Sequence, residues 1–168
     1  EKLWHQDSRT APRVIPLWSS DQTRFVVFVE ESIVDNQAEI IIVDNSGKLV
    51  LQTDFSSNYS YVFIGNGSAW SPDGRYLFFW LSIGSIKDLS ETTSLAMLDL
   101  KEKTITDFCI NSYGTGNDLT LVQGGKWLIT YSDEASNNIL VEIDKKRAYL
   151  FPIPIDGIIH GWMTKTGQ

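Results

Sequence analysis

The sequence predicts an all-β fold of repeated four-stranded antiparallel sheets, and three observations predict it. The run Tyr76-Leu77-Phe78-Phe79-Trp80-Leu81 is apolar at every position. A strand with one wet face alternates, so an unbroken run requires apolar contact on both faces. The unit around that run occurs three times in 168 residues, beginning near residues 18, 70 and 121, at intervals of 52 and 51. A second hairpin follows each buried strand, which makes four strands per period. Periods of roughly 20–50 residues mark stacked units that cannot bury their faces alone. Four strands per period, the inner ones most apolar, is the sequence form of a β-propeller blade.

The middle repeat shows the pattern most clearly. Trp70 ends a first strand, and Ser71-Pro72-Asp73-Gly74 follows as a tight turn. Pro72 presets φ, Gly74 tolerates φ > 0, and Asp73 can accept hydrogen bonds from the turn's own amides. The buried strand comes next, then a connection from Ser82 to Thr93, and then the hairpin Leu95 to Ile105. In the first repeat, Val14-Ile15-Pro16-Leu17-Trp18 is the first strand, with Pro16 implying an irregular position. Trp18-Ser19-Ser20-Asp21-Gln22 overlies Trp70 to Gly74 without a gap, Phe25 to Val29 is the buried strand, and Ile40 to Val50 is the second hairpin. The third repeat has Leu121-Val122-Gln123-Gly124-Gly125, a strand over Lys126 to Tyr131 and a hairpin over Leu140 to Leu150. Asp44, Asp99 and Asp144 are assigned one shared position, at the end of each third strand.

The predicted organisation is a leader over 1–12, a linker or the outer strand of an incomplete blade, followed by blades at about 13–54, 60–110 and 115–152. Ile158-Ile159-His160-Gly161-Trp162 reads as the first strand of a partial fourth blade at 157–168. No stretch has the period of an amphipathic helix. Propellers typically close with four or more blades. Three closures are open: further blades in a longer protein, a homodimer closing a six-bladed ring, or blades from an unrelated chain.

Trp70-Ser71-Pro72-Asp73-Gly74, the apolar strand after it and the later strand ending Leu98-Asp99 resemble the TolB-like (WD-repeat-like) β-propeller repeat family. The resemblance extends over residues of about 12–165. The first copy departs from the motif at Ser20 and Gln22, the third at Leu121 and Gly124. That family is largely extracytoplasmic in bacteria, so the resemblance implies a periplasmic or extracellular location. It also implies a non-catalytic scaffold for protein–protein interaction within a larger envelope or extracellular protein or assembly. Similar propellers precede the hydrolase domain of prolyl-oligopeptidase-like serine peptidases, which gives the alternative of a substrate-gating domain without catalytic residues.

Composition narrows the partners. The net charge of −7 argues against a nucleic-acid partner. No run approaches the roughly 18 apolar residues of a membrane span. There is no initiator Met and no signal-peptide pattern, so Glu1 reads as an internal start. Cys109 is alone, which leaves no intramolecular disulfide, and its place between Phe108 and Ile110 predicts a buried, inert thiol.

Catalytic patterns are thin. The two histidines, His5 and His160, lie far apart, so no zinc-ligand spacing exists. There is no Gly-x-Ser-x-Gly elbow, and the Gly-rich pieces at Gly65 and Gly114 open no helix that could cradle phosphate. Asp44-Asn45-Ser46-Gly47 lacks the Glu a calcium loop requires and reads as a hairpin turn. Ser71-Pro72-Asp73-Gly74 departs in spacing from sialidase-type turns, and Glu30/Glu31 and Asp133/Glu134 match paired glycosidase carboxylates by type only. No catalytic residue, cofactor or metal is therefore assigned.

Charge placement gives a sharper expectation. The loops between strands two and three, and those between blades, share one face of the disc. That face collects Glu30, Glu31, Asp35, Glu39, Asp54, Asp88, Glu91, Asp118, Asp133, Glu134 and Asp156 against Lys87. The opposite turns carry Lys48, Lys101, Lys103, Lys145, Lys146 and Arg147 against Glu102 and the three turn aspartates. The expected partner site is the acidic face: Glu30, Glu31, Asp35, Asp88, Glu91, Asp133 and Glu134, aided by Tyr59, Tyr61 and Tyr113. Charges scattered for solubility are the plain alternative.

Overall fold

The computed structural model describes residues 17–30, 38–54, 61–85, 90–112, 118–132 and 137–152. The strands are β1 Leu17–Trp18, β2 Arg24–Glu30, β3 Ala38–Asp44, β4 Leu49–Asp54, β5 Tyr61–Trp70, β6 Tyr76–Ser85, β7 Ser90–Asp99, β8 Thr104–Ser112, β9 Thr120–Val122, β10 Trp127–Ser132, β11 Asn137–Glu142 and β12 Arg147–Pro152. Each consecutive four pair antiparallel in chain order, giving three four-stranded sheets. A 3-10 turn at Gln123–Gly125 is the one helical piece among the described residues. The predicted leader at 1–12 and the fourth-blade start at 157–168 lie outside the described residues.

The second sheet sits between the other two, which explains the unbroken apolar run of β6. Its alternate residues Leu77, Phe79 and Leu81, with Ala96 and Leu98 from β7, pack against Val26, Phe28, Ile40 and Ile42 of the first sheet. Phe78 and Trp80, with Leu95 and Met97, pack against Leu128, Ile139 and Val141 of the third. From Leu77 to Trp80 every side chain is 0% exposed. The Phe28 and Phe79 rings meet across the first interface with centroids 6.3 Å apart. Val27, Ile41 and Val43, with Phe25, form a smaller cluster on the other face of the first sheet.

The turns that deliver the buried strands are built alike. Ser71 Oγ donates to Asp73 Oδ1 at 2.6 Å, the Arg75 amide donates to the same oxygen at 3.1 Å, and the Tyr76 amide donates to Ser71 Oγ at 2.8 Å. Ser19, Asp21, Thr23 and Arg24 repeat all three bonds at 2.6, 3.1 and 3.0 Å. The departures Ser20 and Gln22 therefore leave the turn intact. Gln22 adopts φ 56° where Gly74 has φ 65°, a left-handed conformation that strains a side-chain-bearing residue. In the third turn Gly124 and Gly125 take φ 66° and 86°.

Three expectations are corrected by the pairing. Asp144 does not share the position of Asp44 and Asp99. β2–β3 pairs Arg24 with Asp44 and β6–β7 pairs Tyr76 with Asp99, but β10–β11 pairs Trp127 with Glu142. Glu142 thus ends the third strand, and Asp144 lies in the following turn. Cys109 is exposed rather than buried. The register of β7–β8 shifts between Ser94 and Ala96, and in this bulge Cys109 takes φ 54°. Phe108 and Ile110 pack toward the core while the thiol points away. The strands also run further than their apolar cores: Glu30 pairs with Ala38, Tyr61 with Gly84, and Gly84 with Glu91, so these three belong to strands rather than loops.

Candidate functional site

One end of the stack gathers the turns β1–β2, β5–β6 and β9–β10 with the turns β3–β4, β7–β8 and β11–β12. Neighbouring sheets interlock there. Arg24 Nη1 donates to the Gly74 carbonyl at 3.0 Å, and Trp70 Nε1 donates to the Leu17 carbonyl at 3.1 Å. Gly125 closes against Pro72 so tightly that a Cβ there would lie 2.3 Å from Pro72 Cδ. Glycine at this position serves close approach as well as a positive φ.

Asp99 is the buried charge of this face, 1% exposed, and it is fully engaged. Arg75 grips it with two bonds, Nη2 to Oδ2 at 2.7 Å and Nε to Oδ1 at 3.1 Å. The Lys101 and Glu102 amides donate to Oδ1 at 2.9 and 3.2 Å. The Arg75 bonds hold its carboxyl below the usual carboxylate range, against the opposing effect of burial. The Arg75 guanidinium also lies over the Tyr76 ring, 4.7 Å from the centroid. Asp44 has no such arginine; Ser46 Oγ, at 2.6 Å, and the Lys48 amide, at 3.0 Å, lower its pKa instead. Glu142 pairs with Lys145 at 2.8 Å.

Between the second and third turns lies a groove of about 220 Å³, lined by Asp73, Tyr76, Lys126 and Asp144 among others. Tyr76 is 9% exposed. Burial raises its phenol pKa, the Arg75 charge opposes this, and Asp99, Asp144 and Asp73 raise it further. The groove was not legible in the sequence, because its walls come from turns about fifty residues apart. Gly125, standing where Gly74 stands, was the one available signal.

Three of the sequence-predicted partner residues lie on described strands, at the opposite end of the stack. By backbone, Glu30 ends β2, Tyr61 begins β5 and Glu91 lies at the start of β7, all at that end. Glu31, Asp35, Tyr59, Asp88, Tyr113, Asp133 and Glu134 lie outside the described residues. Among the described residues, no three His, Cys, Asp or Glu side chains stand close enough to hold a metal. No described helix is long and apolar enough to cross a membrane.

No family model matches the chain, and no curated protein matches it. Solved structures do. TolB from Acinetobacter baumannii superposes with a TM-score of 0.56 at 16% identity, over 83% of this chain and 32% of that one. Porphyromonas gingivalis dipeptidyl peptidase 4 gives 0.56 at 14%, over 84% and 26%. The β-propeller domain of the Trilobed protease from Pyrococcus furiosus gives 0.50 at 11%, over 89% and 52%. The chain thus spans from about a quarter to about half of the length of these proteins. Identities this low speak to architecture alone, and the three stacked sheets are four-stranded blades of a β-propeller, the fold that TolB shares.

Proposed function

We propose that the chain is a non-catalytic propeller scaffold for protein–protein contact, acting within a larger envelope or extracellular protein or assembly. The observation that carries this reading is the fusion of three sheets through two continuous cores, which gives rigid ends on which partner-binding loops can be displayed. The resemblance to the TolB-type repeat supports a periplasmic or extracellular setting. The acidic end remains the proposed partner face. Affinity capture from native extract at low salt, with wild type and a Glu30→Lys, Glu31→Lys, Asp133→Lys, Glu134→Lys variant, tests both parts. A salt-sensitive partner lost only by the variant supports the acidic face. A partner retained by the variant rejects that face, and no saturable partner for either protein rejects the scaffold.

The likeness to dipeptidyl peptidase 4 and to the Trilobed protease propeller favours one second reading, a substrate-gating propeller of a serine peptidase. Reading the codons after residue 168 separates the two: a Gly-x-Ser-x-Gly segment favours the peptidase, further Ser-Pro-Asp-Gly repeats the scaffold.

A further inference from the structure

The face of the first sheet that is turned away from the stack is, by strand pairing, a docking face. Trp18 pairs with Phe25 and Phe25 with Val43, as Trp70 pairs with Leu77 and Leu77 with Leu98. Val27 pairs with Ile41 as Phe79 pairs with Ala96. Phe25, Val27, Ile41 and Val43 therefore stand where Leu77, Phe79, Ala96 and Leu98 stand in the second sheet, four of the positions through which that sheet seats on the first. Among the described residues, no side chain from another sheet joins the outward cluster. Yet Val27, Ile41 and Val43 are only 2%, 2% and 3% exposed. Aliphatic side chains on an open sheet face stay in contact with water, so this burial calls for a cover. The cover is narrower than a blade. Trp70 is 4% exposed where the second sheet docks, whereas Trp18, its equivalent, is 51% exposed.

We propose that the segment before β1, residues 1–16, lies across this face and seals it, with Trp4 as its anchor. The segment runs directly into β1, and Trp18 of β1 already stands on the face, its ring 5.0 Å from that of Phe25. Leu3, Trp4, Val14 and Ile15 give it apolar side chains to bury, Trp4 the largest. One segment matches a cover that protects the centre of the sheet and leaves Trp18 in water. Residues 153–168 are the other terminal segment, but they leave from the third sheet, two sheet layers of about 10 Å away. Consecutive elements are neighbours far more often than distant ones. Held this way, the segment occupies the surface a preceding blade needs, so a partner blade docks on the first sheet only by displacing it. The inference stands on the burial of the first sheet and does not rest on the scaffold reading.

The test is methyl NMR on the full chain. Nuclear Overhauser cross-peaks are expected from the Trp4 ring to the Val27 and Ile41 methyls, within one molecule. In the wild type those methyls should be as protected from a water-soluble gadolinium chelate as Leu77 and Leu98, which lie in the docked face. Trp4→Ala is expected to raise the open fraction of the cover at least about tenfold. The readout is stronger relaxation of the Val27 and Ile41 methyls by the chelate, with Leu77 and Leu98 unchanged. Cross-peaks to these methyls from Ile158, Ile159 or Trp162 instead would assign the cover to the other terminus and overturn the proposal. Cross-peaks seen only between labelled and unlabelled copies would assign it to a second chain, with the same consequence. Strong relaxation of the wild-type methyls, or none added by Trp4→Ala, also overturns it. Any of these failures leaves the scaffold reading to its own capture experiment.

Discussion

Replacing Gly125 with alanine tests whether the turns lock one sheet to the next. A Cβ at Gly125 would stand 2.3 Å from Pro72 Cδ and 2.8 Å from Cγ, whereas ordinary contact begins near 3.4 Å. Pro72 is a ring fixed in its own turn, so relief requires the two turns to part by about 1 Å, an overpacking cost of about 1–3 kcal/mol. The left-handed backbone at φ 86° adds about 1–2 kcal/mol for any residue with a Cβ. Gly124 is the internal control: its φ is 66° and nothing lies within 4 Å of its Cβ position. Gly124→Ala should therefore show the backbone cost alone, and Gly125→Ala should exceed it by about 1–3 kcal/mol. Urea unfolding followed by tryptophan fluorescence and far-UV circular dichroism, with coincident transitions, gives both values. Pro72→Ala removes the two clashing carbons, so the double variant should recover most of the excess. A difference below about 0.5 kcal/mol between the glycine variants, or additive costs in the double variant, would refute the lock.

Other outcomes follow from the same geometry. Trp70→Phe removes the donor to the Leu17 carbonyl and should cost about 1–2 kcal/mol in a urea titration. Gln22→Gly should raise stability by up to about 1 kcal/mol, since it relaxes a residue held at φ 56°; an unchanged or lower midpoint would count against the assigned turn. Asp21 is lowered to about 2, mainly by the Ser19 hydroxyl, and Asp44 and Asp99 are lowered too. Depressed folded-state values contribute stability that is present above the unfolded value near 3.8 and lost as pH falls toward about 2. The urea midpoint should drop across that window, and Asp→Asn changes at these three positions should flatten the drop. Cys109 should react with a thiol reagent in the native state, without denaturant.

Much of the fold was legible because its signals are local. The apolar run of β6 announces a strand covered on both faces, and Ser-Pro-Asp-Gly announces the turn before it. Register is less local. A period of 51 places Asp144 near the right spot, but strand pairing decides the position by a shift of two residues, and Glu142 takes it. Cys109 misled for a similar reason, because an apolar flank on each side does not reveal a bulge that turns one residue outward. Strand ends such as Glu30 and Glu91 are polar where the ladder outlasts the core, so hydropathy ended them early. The turn groove depends on how sheets dock, which no single repeat encodes.

Methyl and aromatic nuclear Overhauser effects test the stacking itself. Cross-peaks should join Leu77 and Leu98 to Val26 and Ile42, and join Leu95 and Met97 to Leu128 and Ile139, with none between the first-sheet and third-sheet sets. Direct cross-peaks from Val26 or Ile42 to Leu128 or Ile139, as in a two-layer sandwich, would contradict the account.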